Sequence, residues 1–407
     1  MLLGQLLRRL IRQGSLTIVS ASGERFVFSG PTPGPTATIR IHDRATQRRL
    51  FTNPNLRLGE AIADGTVTVE DGDLYDVLEL LMMNLGWTHG GHWLPELYGR
   101  LRVLGRRLAQ HNPVGRAQRN VAHHYDLSGA LYDLFLDRDR QYSCAYYASA
   151  NDSLDQAQTN KKRHLAAKLL LRPGQRVLDI GSGWGGLALY LAKVAGVDVT
   201  GVTLSAEQHK ISQERAASEG LADRVRFELQ DYRKEQGTYD RIVSVGMFEH
   251  VGIGHYREFF AKVRNLLVED GVALLHTIGR ADGPGATNAW LTKYIFPGGY
   301  TPALSEVTAA IERAGLYVTD VEVLRLHYAT TLRDWRRRFN ENRDKVRALY
   351  DERFCRMWEF YLAACEAAFR YGGQVVFQIQ LAKRQDAVPI TRDYIGDWEN
   401  AHIGHPA

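Results

Sequence analysis

Seven short apolar segments constrain this chain more than anything else in it. They are RVLDIG (176–181), DVTGVTL (198–204), RVRFEL (224–229), RIVSVG (241–246), VALLHTIG (272–279), VTDVEVLRL (318–326) and VVFQIQLAKR (375–384). Helix-length stretches fill most of the intervals between the first six. Parallel strands need a crossover of about a dozen residues or more, usually a helix. Repeated units of this kind predict an α/β fold with a doubly wound, mainly parallel, seven-stranded Rossmann-like sheet. The interval before the seventh strand is different: residues 331–373 form an aromatic-rich helical insertion, large enough to cover a site and admit an apolar ligand.

Upstream, the pattern changes. SLTIVS, RFVFSG and ATIRIHD alternate in polarity between Gly and Pro, which predicts a small antiparallel sheet. GEAIADGTVTVEDGDLYDVLELLMMNL adds a helical turn, a strand and an amphipathic helix, giving a small α+β N-terminal domain. Leu3, Leu6, Leu7 and Leu10 fall at helical spacing, as in a helix lying on a membrane surface or docked on its own domain. The expected organisation is a lipid-associated domain over 1–110, a connector and lid over 111–150, a catalytic domain over 151–390 and a tail over 391–407.

Charge is unevenly spread. Residues 1–120 hold 15 Arg, no Lys and 10 acids, and that excess equals the +5 of the whole chain. Six arginines without an acid occupy 100–119, a pattern suited to phospholipid headgroups or nucleic acid. No apolar run approaches the roughly 20 residues of a membrane span, and the start does not read as a secretory signal. Cys144, Cys355 and Cys365 are too far apart for a zinc motif or a disulfide framework. These features are those of a cytoplasmic protein without a bound metal.

The loop after the first βα strand carries the first chemical signal. In VLDIGSGWGGLALYLAK, Gly181, Gly183 and Gly185 let the backbone bend and a ligand approach closely. Dinucleotide enzymes share such glycines. Asp179, two residues earlier, can hold a cationic amino-acid head, whereas a pyrophosphate site has less use for a carboxylate. The loop therefore points to S-adenosyl-L-methionine. A second signal lies at later strand ends: Glu249 follows the fourth, His276 lies near the end of the fifth and Tyr328 follows the sixth. Ligands in open α/β sheets bind outside the carboxyl ends of strands, so these three groups are expected to converge beside the cofactor.

Together VLDIGSGWGGLA, GVTLSAEQ, QDYR, DRIVSVGMFEHVG, LLHTIG, KYIFPGG and YSCAYY resemble the cyclopropane-fatty-acyl-phospholipid synthase family, relatives of the mycolic acid cyclopropane synthases. The likeness is dense from about 120 to 385 and diffuse over 1–110. It implies an S-adenosylmethionine methyltransferase fold and transfer of a methylene group to the cis double bond of unsaturated phospholipid chains at the inner membrane face. Thr203 and Gln208 stand where many methyltransferases place an acid for the ribose. Asp231 and Tyr232 would contact adenine, and Tyr142 and Ser143 would close over the methionine end. The resemblance also implies a bound bicarbonate, held by Cys144, Glu249, His276, the backbone of Ile278 and Tyr328. Cys365 matches a cysteine sometimes regarded as catalytic, but its apolar helical setting favours an inert thiol. Methyl branching without ring closure and a non-catalytic lipid-binding module are the competing readings. Nucleic acid is not an expected partner, since no base-clamping NPPY-type sequence follows the fourth strand; a homodimer is left open.

Overall fold

The computed structural model describes residues 2–86 and 129–404. The arginine run at 100–119 lies wholly in the segment outside these residues, as does the expected boundary at 110. The described residues fall into two compact units, and neither is continuous in sequence. One takes its residues from Met1–Gly99, Thr287–Pro297 and Tyr328–Gln374; the other takes them from Arg100–Ala286, Gly298–His327 and Val375–Ala407.

The first unit holds a four-stranded sheet of β1 (Gln13–Val19), β2 (Arg25–Ser29), β3 (Thr32–Ile41) and β4 (Val67–Asp71), in the order β2-β1-β3-β4. The expectation of an antiparallel sheet is corrected here: β1 and β3 run parallel, and the other two pairings are antiparallel. The chain passes from one side of β1 to the other in two residues, which needs a very close backbone crossing. Gly30 makes it: a Cβ there would lie 2.0 Å from the carbonyl carbon of Arg12. Alternating polarity encodes which face a residue takes, not strand direction, so the sequence pattern could not reveal this. In the N-terminal helix (Leu2–Leu10), Leu7 is buried while Arg8 and Arg9 are exposed, so the helix docks on its own unit.

Three helices of the expected insertion belong to this same unit: His327–Glu341, Arg343–Leu349 and Glu352–Tyr371. The last of them packs with the helix Pro54–Ala63 and the short helix Ala289–Tyr294. A Cβ on Gly59 would sit 2.5 Å from the Trp290 indole nitrogen and 2.6 Å from the Phe360 ring, so only glycine allows this approach. Beside it, the buried Glu60 accepts hydrogen bonds from Lys293 Nζ and Tyr294 Oη, both at 2.8 Å. Arg353 reaches Asp64, and Tyr371 donates to Glu79.

The second unit is built on seven strands: β5 (Arg176–Ile180), β6 (Asp198–Thr203), β7 (Val225–Leu229), β8 (Tyr239–Val245), β9 (Leu267–Arg280), β10 (Tyr317–Val323) and β11 (Gln374–Ala382). Their order is β10-β11-β9-β8-β5-β6-β7. All five strands from β5 to β9 are joined by parallel pairings, and β10 pairs antiparallel with β11. Alternation of side chains gives the sheet two apolar faces. Leu178, Ile180 and Ile242 pack with Phe248, Phe259, Phe260 and Ile311, while Val177, Val199 and Val243 pack with Leu165, Leu187 and Leu191. This is the doubly wound α/β sheet expected from the sequence.

Candidate active site

At the carboxyl ends of β5, β6, β7 and β8 the second unit opens into a cleft whose empty space, mouth included, is about 1140 Å³. Tyr142, Ser143, Asp179, Gly181, Gly183, Thr203, Gln208, Asp231 and Tyr232 all line it. The sequence did not single out Gln141, Trp184, Gln230 or Met247, which line it too. Gly181 and Gly183 have φ of 86° and 55°, in the left-handed region that favours glycine. A Cβ on Gly181 would press on Met247 at 2.8 Å, whereas Gly183 faces open space. Gly185 is different. It does not line the cleft, and a Cβ there would strike Phe227 at 2.6 Å, so this glycine serves helix packing.

The polar groups of the cleft are set by their partners. Asp179 is buried, and its Oδ2 has no hydrogen-bond partner. Burial raises its pKa to about 7, against a lowering influence from the charge of Lys161. Thr203 donates to Gln208 Oε1 at 3.1 Å, which turns the glutamine's NH₂ into its free donor end. Asp231 works against burial: Arg233 bonds both of its oxygens, at 2.9 and 2.6 Å, and holds the carboxyl below its usual range. Oδ1 also accepts from the Arg233 backbone N–H at 3.0 Å, so the lone pair left for a ligand is on Oδ2.

One strand further along the sheet lies a second polar cluster. β8 ends where Gly246 N donates to the His276 carbonyl on β9 at 2.9 Å. The chain then turns into a short 3-10 helix, Phe248–His250. Glu249, on that turn, accepts from Ile278 N at 2.6 Å through Oε1, while its buried Oε2 has no partner. Burial raises this carboxyl to about 7; hydrogen bonds including that from Ile278 act in the opposite direction. The strand end therefore delivers a carboxyl that can carry a proton near neutrality. Ile278 enters the site by orienting Glu249, since its N–H is already engaged. His250 lines the cofactor cleft, where burial lowers its pKa to about 4 and keeps it neutral.

His276 is wired more deeply. Lys168 Nζ donates to Gln378 Oε1 at 2.9 Å, so the Gln378 amide must turn its NH₂ toward His276 Nδ1, at 3.2 Å. Nδ1 accepts, so the ring proton resides on Nε2. Burial drives the imidazole pKa well below 6.5, aided by the charges of Lys161 and Lys168. His276 is thus a neutral donor through Nε2. No local pattern marks Gln378, which lies on the seventh strand and is 102 residues away. Cys144 is buried, with its Sγ donating to the Ala145 carbonyl at 3.3 Å.

Tyr328 and Cys365 belong to the first unit. Tyr328 follows β10 after a short turn, as the second residue of a helix, and its ring packs on Phe369 at 4.8 Å and Trp335 at 5.8 Å. Cys365 keeps some surface exposure, yet burial of its sulfur pushes the thiol to about 12, which makes it a poor nucleophile. Among the described residues no cluster could hold a metal ion, and no helix is long and apolar enough to cross a membrane.

The orphaned Asp179 oxygen, the glycine loop and the donor end of Gln208 fit a ligand with a cationic amino-acid head and ribose hydroxyls. This sheet and this cleft define an S-adenosylmethionine-dependent methyltransferase. A model of the mycolic acid cyclopropane synthetase family matches residues 113–379, and the chain belongs to that family. A probable fatty acid methyltransferase of Pseudomonas putida is 38% identical over 362 residues, covering 86% of this chain and 88% of its own length. The cyclopropane-fatty-acyl-phospholipid synthase of Escherichia coli K12 is 40% identical over 350 residues, covering 85% and 88%. A solved cyclopropane synthase of Mycobacterium tuberculosis shares 34% identity at a TM-score of 0.62, covering 65% of this chain and 98% of that one.

Proposed function

We propose that this enzyme forms cyclopropane rings at the cis double bonds of unsaturated phospholipid acyl chains. Bound S-adenosylmethionine supplies an electrophilic methyl group. Asp179 would hold the cofactor's ammonium, Gln208 its ribose, and the glycine loop would let the nucleoside approach the backbone. An alkene is a weak nucleophile, so the chain's contribution is to aim it and exclude water. Methyl transfer leaves a cation on the acyl chain, and closing the ring requires loss of a proton from the new methyl group.

The observation that carries this reading is Glu249: a buried carboxyl, anchored by Ile278 N–H, with one oxygen unpartnered. A carboxyl near pKa 7 can give a proton to an anion, and His276 Nε2–H can give another hydrogen bond. Such donors fit bicarbonate, which would supply an exchangeable base; Glu249, His276 and Cys144 would hold it. Neutral His276 and mostly shared protons keep two anions from being buried side by side.

Methyl branching is the second reading, and the name of the Pseudomonas putida relative favours it. The complete set of Cys144, Glu249, His276, Ile278 and Tyr328 favours the ring. Lipids from a host expressing the chain decide the matter by mass spectrometry. Ring formation adds the mass of one methylene and removes the ozone-sensitive double bond, with no hydrogen gained beyond the two of that methylene. Unchanged lipids, or a product still cleaved by ozone, would overturn it.

A further inference from the structure

Behind the wall of the cofactor cleft lies a charge that lines no part of it. Lys161, in the middle of the helix Leu154–Leu169, has no exposed surface. Its Nζ lies 2.6 Å from Gln141 Oε1 and 2.8 Å from Ser143 Oγ, and both of those residues line the cleft. A lysine ammonium only donates, so the direction of both bonds is fixed. Gln141 must turn its carbonyl oxygen to the lysine, and its Nε2 duly donates to Asp139 at 2.9 Å. Ser143 Oγ must accept, so its hydroxyl proton is left for a different partner.

The serine is held from its backbone as well, since Gln158 Nε2 donates to its carbonyl at 3.0 Å. Asp139 fixes the rest of the loop by accepting from Lys162 at 2.6 Å and pairing with Arg215. Lys162 is thereby neutralised by a carboxylate, whereas Lys161 bonds two neutral oxygens and meets the charges of Asp137 and Asp139 without a direct bond to either. A buried cation in that position gains from an anion placed nearby. The same cleft contains the unpartnered Oδ2 of Asp179, a site for a cation. The wall therefore offers separate places for the two charges of a zwitterion.

We propose that Lys161 is a positioning residue for the carboxylate of the cofactor's amino-acid head, acting through Ser143, while Asp179 takes the ammonium. The inference rests on the S-adenosylmethionine reading of the cleft. It makes the enzyme selective for the whole amino-acid head rather than for the nucleoside alone.

Calorimetry on the full chain tests this with S-adenosylhomocysteine and its decarboxylated analogue. The parent should bind S-adenosylhomocysteine tighter by about tenfold or more, the usual worth of a hydrogen bond to a charged group. Lys161→Met should erase most of that preference while leaving the analogue's affinity within about twofold. Ser143→Ala should do the same, and the double variant should be no worse than Lys161→Met alone. Equal loss for both ligands in a folded variant would make Lys161 merely structural and overturn the proposal. If Lys161→Met does not fold, Ser143→Ala decides by the same criterion. Failure of the parent to bind either nucleoside would instead remove the cofactor reading, and this proposal with it.

Discussion

The strand ends of the second unit divide into two halves that handle buried charge in different ways. Around β5, β6 and β7 the cofactor cleft is shaped by backbone: positive-φ glycines, a turn and one carboxylate with an empty oxygen. Around β8 and β9 the polar groups are already fixed on one side, Glu249 Oε1 by the Ile278 backbone N–H and His276 Nδ1 by Gln378 and, through it, Lys168, while Glu249 Oε2 stays open. The first half awaits a ligand to complete its bonding. The second fixes proton positions in advance, as chemistry requiring a preorganised polar site demands. Damage to the first should appear in cofactor binding, and damage to the second in turnover.

Gly183→Val should have the largest effect, removing measurable S-adenosylhomocysteine binding by calorimetry. A branched residue is strained at φ 55°, and its side chain would enter the cleft. Unchanged affinity in a folded variant would break the division at its clearest point. Next, Glu249→Gln should lower kcat by a factor on the order of 10² or more with cofactor affinity retained. A loss confined to KM would place Glu249 in binding rather than in proton control.

Gln378→Leu should act more gently, because it removes the partner of His276 and not the imidazole itself. We expect kcat to fall about tenfold, and nitrogen NMR of the His276 ring to show both tautomers where the parent shows Nε2–H alone. A parent ring already mixed between tautomers would show that the Lys168–Gln378 chain does not set it.

The smallest effect concerns stability. Asp179 has a folded pKa near 7 against 3.8 when unfolded, so the unfolded chain releases this proton first as pH rises. Its burial therefore costs nothing below pH 3.8, and the cost grows until it is complete above 7. Asp179→Asn should raise the Tm of the ligand-free protein at pH 8 by a few degrees, converge on the parent at acid pH and weaken cofactor binding. A variant less stable than the parent at pH 8 would mean that Asp179 is held by the protein itself.

The same division explains what the sequence could reveal. Asp179 and its glycines sit within seven residues of chain, so their spacing exposed the cleft, and the βα alternation exposed the sheet. Glu249 was conspicuous as an acid after a buried strand. The bond between Gln378 and His276 joins strands remote in sequence, and no local pattern marks it. Lys161 was hidden for another reason: TNKKRHLAAK looks like a solvated helix face, yet Lys161, Lys162, His164 and Lys168 are all buried. Only tertiary packing reveals that. Likewise, the membership of the helical insertion in the N-terminal unit depends on pairings such as Gly59 against Phe360, which periodicity does not encode.

That assembly governs how the polypeptide can be made. During synthesis Glu60 leaves the ribosome 233 residues before Lys293, and Glu79 precedes Tyr371 by 292. Translation must therefore run nearly to completion before the N-terminal sheet and helices meet the segments that finish their packing. Contacts so distant in sequence slow folding and leave apolar surface uncovered in the nascent chain. A fragment cut after the first sheet would keep that surface permanently, and a version lacking the first eighty residues would strip the helices at 327–371 of their neighbours.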